Sequence, residues 1–302
     1  MNASHLTRHL AQQLTQQLAL SRPPSILRLF CAALALLLLF SSGCSSVRLV
    51  YGHLDWWMDR NLNKYLDLDG AQEDLLSLRV DEFHRWHRQT QLPRYAAYLE
   101  SLAADVDSPD ANLKKLKHIE DQVDTFWHSS VVMLSDLLLP LVIQLDDQQI
   151  DRLEENVREE REESLKKWEK SKRKREKEFR KQAERWLGDL TPEQDAMIDH
   201  QVATTTFDPK RRDAQRQLWA KQFIGTLRSK PEGYESQLRE MLINPQSLWP
   251  EDYRKMQEQL RAQARSLAGD VLKSTTPEQR AHLKSSLLDY ASDFRILAAQ
   301  EH

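Results

Sequence analysis

Leu190-Thr191-Pro192-Glu193-Gln194 is the stretch from which the fold can be read, because it recurs. Its variants are Leu68-Asp69-Gly70-Ala71-Gln72, Leu145-Asp146-Asp147-Gln148-Gln149 and Thr275-Thr276-Pro277-Glu278-Gln279. In each, an Asp or Thr stands three positions before a glutamine, and an amphipathic pattern follows. This is the chemistry of a capping box. The Asp or Thr oxygen accepts a backbone N–H of the first helical turn, which has no partner inside the helix, and the glutamine reaches back to the N–H of the cap residue. Pro192 and Pro277 fall at the first helical position, where a missing N–H costs nothing. The same device thus begins four helices.

Composition agrees. Leu, Glu, Gln, Lys, Arg and Ala dominate, and no alternating strand-like run persists. The expected fold class is all-α, an elongated multi-helix bundle. The seven glycines are scattered, which argues against phosphate-cradling and dinucleotide-binding loops. No G-x-S-x-G, H-E-x-x-H or Asp-rich calcium loop is present either. The formal net charge of −3 is unremarkable.

The repeated starts divide the chain. Residues 44–67 form an N-terminal segment with a first helix at 47–66, 68–145 a first helical half, 146–189 a bridge, and 190–302 a second half. The intervals 68–144 and 190–274 are similar in length, which suggests two related halves. Each holds an aromatic-rich basic helix (83–94 and 211–227), a Pro-containing break and further amphipathic helices. From Asp146 to Gly188, its closing glycine, the bridge has no proline or internal glycine and reads as one charged helix about 65 Å long. Its first part is acidic (Glu154, Glu155, Glu159, Glu160, Glu162, Glu163) and its second basic (Lys166, Lys167, Arg173, Arg175, Lys177, Arg180, Lys181), which suits the helix dipole. With so thin an apolar stripe it is expected to project into solvent, or to pair antiparallel with a second copy as a coiled-coil homodimer. The basic run is also a candidate contact for anionic envelope polymers, although Glu169, Glu176 and Glu178 interrupt it as they would on an ordinary solvated helix.

The first 43 residues have the profile of a secretory signal. Arg8, Arg22 and Arg28 precede an unbroken apolar stretch at 29–40, followed by Ser41-Ser42-Gly43 and Cys44. Twelve apolar residues make a helix of roughly 18 Å, too short for a hydrocarbon core of about 30 Å. The small residues and Cys44 resemble the lipobox of bacterial lipoproteins, with Ser41 where leucine is commonest. That resemblance implies cleavage between Gly43 and Cys44 and lipidation, including palmitate-type acylation, of Cys44. Ser45 after the cysteine implies the periplasmic face of the outer membrane rather than the inner membrane. The mature chain then keeps no thiol for a disulfide, a zinc site or nucleophilic catalysis.

Two further resemblances bear on the rest. Leu190-Thr191-x-x-Gln194 looks like the LTxxQ signature of small helical periplasmic stress proteins, among them chaperones that hold unfolded clients on a concave helical face. The match is clean only there. Leu54-Asp55-Trp56-Trp57, Tyr65-Leu66-Asp67-Leu68, His84-Arg85-Trp86-His87 and Leu92-Pro93-Arg94-Tyr95 resemble an uncharacterised family of Gram-negative helical lipoproteins, a domain of unknown function that implies location and fold but no activity.

The candidate sites are contact positions. Trp56 and Trp57 stand close behind the lipidated cysteine, where indole favours a membrane interface, although packing into the helical core is the commoner use. Arg85, Trp86 and Trp219 are candidate partner contacts. His84 and His87, with Glu82 or Asp81, have helical spacing for a metal but lack a third strong ligand, so a polar-aromatic edge facing another helix is the preferred reading. No cofactor or metal is expected, and export argues against nucleic acid. Carboxylates abound, but nothing marks a catalytic pair. The expectation is a non-enzymatic envelope lipoprotein that binds other proteins, chaperone-like, with a structural tether to cell wall or envelope polymer as the alternative and a cryptic hydrolase as a third reading.

Overall fold

The computed structural model describes residues 45–108, 113–170, 172–205 and 207–300. All regular structure among them is helical. In chain order the helices are α1 (Ser45–Tyr51), α2 (Leu54–Leu66), α3 (Gly70–Trp86), a π-helical turn (His87–Gln91), α4 (Leu92–Asp105), α5 (Leu113–Val142) and α6 (Asp147–Lys170). They continue with α7 (Lys172–Leu187), α8 (Pro192–Thr204), α9 (Pro209–Ser229), α10 (Tyr234–Ile243), a 3₁₀ turn (Pro245–Leu248), α11 (Glu251–Lys273) and α12 (Pro277–Ala299).

The four capping phrases begin α3, α6, α8 and α12, with both halves of the box formed in α3, α8 and α12. At α6, the Gln149 N–H donates to Asp146 Oδ1 at 2.8 Å and the Asp146 N–H donates to Gln149 Oε1 at 3.1 Å. The glutamines also meet in pairs across the fold. Gln149 Nε2 donates to Gln72 Oε1 at 2.5 Å and to the Asp67 carbonyl at 2.9 Å. In the second half Gln194 and Gln279 exchange bonds of 2.9 and 2.8 Å, and Gln279 Nε2 also reaches the Asp189 carbonyl at 2.8 Å. Gln194 and Gln279 are both buried, and each junction knots two helix starts through amides whose donors and acceptors are satisfied.

Three expectations about the elements change. The first helix is interrupted: α1 and α2 are separated at Gly52-His53, where glycine lowers the cost of leaving the helix. The aromatic-rich helix expected at 83–94 is not an element of its own: it spans the end of α3, the π turn and the start of α4, and the Leu92 N–H bonds back to the His87 carbonyl to carry one into the next. The charged bridge does not project into solvent over its described parts. α6 packs on α2 and α9, and α7 on α8 and α12. Ion pairs explain how so polar a helix is taken in: Arg161 binds Asp213 through two nitrogens at 3.0 and 2.8 Å, and the buried Glu160 accepts from Arg216 at 3.3 Å and from the Tyr65 hydroxyl. The bridge ends at Gly188 with φ +74°, a left-handed stop that favours glycine.

The most extensively packed helix pair is α4 with α12. Glu100 pairs with Arg295 at 2.6 Å and Asp107 with Lys284 at 3.0 Å, which sets the two antiparallel. Ala96, Ala103 and Ala291, all buried, allow this approach because small side chains leave little between the backbones. α5, over residues Lys115–Val142, is long and apolar enough by length and composition to cross a membrane. In this fold its apolar face meets α3, α10 and α11.

A candidate binding cavity

Where α4 and α12 lie together they form a floor from which α5, α7 and α11 diverge, and the gap stays unfilled. The space measures about 1450 Å³ and is partly open to solvent. Its lining is mainly hydrocarbon and aromatic: Leu92, Tyr95, Leu99 and Leu102 from α4, Ile119, Val123 and Phe126 from α5, Phe179 and Trp186 from α7, Leu267 and Val271 from α11, and Leu283, Leu287 and Phe294 from α12. Ile198 of α8 also reaches it. α4 and α5 touch through rings, Tyr95 and Tyr98 lying 4.7 and 5.8 Å from Phe126 between centroids. Val123 at 52% and Phe179 at 45% exposure show large apolar groups left in contact with water at its edge.

A dry void of this size is not a stable feature. The space is partly open, so water reaches it freely. The cavity therefore holds solvent or a ligand. It exceeds the ~300–1,000 Å³ of ordinary small-molecule pockets.

A buried polar line runs from α1 to one end of this cavity. Tyr51 Oη lies 2.9 Å from His87 Nδ1, His87 Nε2 lies 3.3 Å from Tyr95 Oη, and Tyr95 Oη lies 3.3 Å from Ser130 Oγ. Burial pushes the His87 imidazole down to about 3, because the charged ring would lose its water, and neighbouring His84 adds to the shift. Burial likewise raises the Tyr51 and Tyr95 phenols, so the chain is neutral throughout the physiological range. Arg48 of α1 makes a second link, pairing at 3.1 Å with the buried Asp293 beside Phe294. Burial raises the Asp293 carboxyl and Arg48 pulls it the other way.

The sequence-derived contact positions separate into two groups. Trp56 is 60% exposed, with the Arg60 guanidinium 5.5 Å from its ring, and Arg85 is also exposed. Trp57, Trp86 and Trp219 are half-buried against the core. Trp219 stacks on Phe223 at 4.9 Å and donates to the Met241 carbonyl at 2.9 Å, so its fittings are internal. None of the five lines the cavity. His84 and His87 are buried, His87 against Tyr51 of α1 and Tyr95 of α4, with His84 Nδ1 3.9 Å from Asp55. Among the described residues no group of three or more His, Cys, Asp and Glu side chains converges as a metal site. Gly43 and Cys44 lie outside the described residues, as do the side chains at 169–176 of the basic run.

Residues 64–254 match a family of unknown function, DUF6279. The chain belongs to that family. The family span runs from the end of α2 into the first turn of α11, so the cavity-lining parts of α11 and all of α12 lie beyond it. No curated protein and no solved structure matches the chain.

The cavity was not legible in the sequence because its walls come from six helices separated by up to two hundred positions. The faint signals were apolar residues such as Val123 and Phe179, on helix faces that ordinary amphipathic packing would have covered.

Proposed function

We propose that this protein is a lipid-anchored, non-enzymatic binding module of the cell envelope, which shelters an apolar chain in the α4–α5–α7–α11–α12 cavity much as a chaperone shelters a client. The observation that carries the reading is the cavity itself, too large and too apolar to be a packing fault. The N-terminus supports the anchoring. α1 begins at Ser45, next to the proposed lipidated Cys44, and docks directly through the buried Val47 and Tyr51. With no linker between lipid and body, Leu49, Val50 and Trp56 present an exposed apolar edge close to the anchoring residue.

The tether reading drew on a projecting charged helix, and that motivation weakens now that α6 and α7 are packed into the bundle.

The test uses the chain from Ser45 onward and an apolar dye that fluoresces when removed from water. Saturable uptake is expected. Ala268→Trp, which places an indole in the cavity, should weaken uptake at least tenfold, whereas Arg85→Ala should leave it unchanged. Absence of saturable uptake by a folded, helical chain would remove the reading. Suppression of light scattering from an unfolding client, abolished by the same tryptophan, would extend it to holdase action.

A further inference from the structure

The two ends of the cavity differ in chemistry. At one end, near α1, the wall is Leu92, Tyr95, Phe126 and Phe294. At the other, where α4 ends and α12 begins, it carries Asp105, Asp107, Lys115, Lys273 and Arg280. A long apolar space closed by rings at one end and edged by both signs of charge at the other has the polarity of an amphiphile with a zwitterionic head.

The polar groups of the wall are also largely engaged within the protein. Lys115 lies 3.5 Å from Asp105 and 3.2 Å from Ser108 Oγ, Asp107 binds Lys284, and Arg280 donates to the Thr275 carbonyl at 2.6 Å. An extended polypeptide would bring an N–H and a C=O per residue into this space and find few partners, at about 1–3 kcal/mol for each group left unpaired. A hydrocarbon chain brings none. Capacity points the same way. At roughly 30 Å³ for a group the size of a water, the cavity holds about fifty of them, room enough for the chains of a two-chain lipid.

We infer that the occupant is a zwitterionic diacyl phospholipid, its acyl chains running along α4 and α12 toward Phe294 and its head between the Lys115–Asp105 and Arg280 edges. The inference rests on the binding reading above and names the ligand class for that cavity.

The experiment places a photo-crosslinking benzoylphenylalanine at Leu283 in the full chain, held in vesicles of phosphatidylethanolamine and phosphatidylglycerol. After illumination, adducts are identified by mass. An adduct of intact phosphatidylethanolamine is expected at Leu283, at least tenfold above the same probe at the exposed Arg85, and it should fall at least fivefold with Ala268→Trp. Should that variant fail to fold by circular dichroism, Ala264→Trp serves in its place. Adducts confined to the anionic lipid would overturn the head-group assignment. A polypeptide adduct, obtained when the same probe is illuminated in cells and accompanied by no lipid adduct, would overturn the lipid inference while leaving the binding cavity standing. No adduct from Leu283 in either setting, together with absent dye uptake, would overturn both.

Discussion

The N-terminal region and the cavity region are made from the same kind of helix and end in opposite states. Around His87, the side chains of α1, α3, α4 and α5 close on one another: Tyr51, Leu76, Phe83, His84, His87 and Leu92 are almost wholly buried, and the histidine's ring nitrogens face two tyrosines. Around Leu283, apolar faces point at each other across open space. Amphipathicity therefore dictates which face turns inward, and the separation of the helix axes dictates whether those faces meet. In the first region short connections and the π turn bring α1, α3 and α4 together. In the second, α5, α7 and α11 diverge from the α4–α12 floor and their apolar faces line the space instead of meeting.

The strongest way to break this comparison is truncation on both sides of it. Leu76→Ala or Leu238→Ala, at positions with no exposed surface, should each cost ~2–5 kcal/mol in chemical denaturation, the loss of transfer energy plus a new void. A cost below ~1 kcal/mol would mean that the packed region is not packed.

Acid provides the next largest effect. His87 is held down at about 3 in the folded state against an ordinary value near 6.5, so between those limits the unfolded chain takes up a proton that the folded chain refuses. Its contribution is complete above about pH 6.5 and is lost as pH falls, at up to ~1.4 kcal/mol per pH unit, or about 2 kcal/mol by pH 5. His87→Gln should flatten that slope, read from denaturation midpoints at pH 8, 6.5 and 5. An unchanged slope would assign the acid sensitivity elsewhere.

Smaller again is the cap-and-pair effect. Gln279→Ala removes the reach back to the Thr276 N–H, the bonds with Gln194 and the one to the Asp189 carbonyl, and should cost ~1–2 kcal/mol. Gln72→Ala, at the less buried junction, should cost less. The reverse order would show that the second junction, next to the cavity, is not the tighter one.

The smallest effect sharpens the comparison most. Leu283→Ala and Leu267→Ala, both on the cavity wall, should change the stability of the ligand-free chain by less than ~1 kcal/mol, because enlarging an existing solvent-filled space opens no new void. If lipid occupies the cavity, the same variants in lipid-loaded protein should lose more than in the ligand-free chain.

Much of the architecture was readable residue by residue. The capping phrases located the starts of α3, α6, α8 and α12, because a cap is a local interaction over three positions. Gly188 marked the end of the charged bridge for the same reason. The misreadings came where a neighbour decides the outcome. The charged α6 was expected to project, and it is packed because Arg216 and Asp213 of α9 meet its Glu160 and Arg161. Trp219 looked like a partner contact, and Met241 and Phe223 claim it internally.

By itself, then, the sequence determined the helical class and the places where four of the helices begin, both of which follow from chemistry within a few positions along the chain. Tertiary structure alone decided that the capping glutamines pair two by two, that a histidine is entombed between two tyrosines, and that six amphipathic helices leave a cavity of about 1450 Å³ between them. The physical reason is that an apolar stripe specifies burial without specifying a partner. Whether it meets another stripe, a lipid or water is settled by the distance between helices.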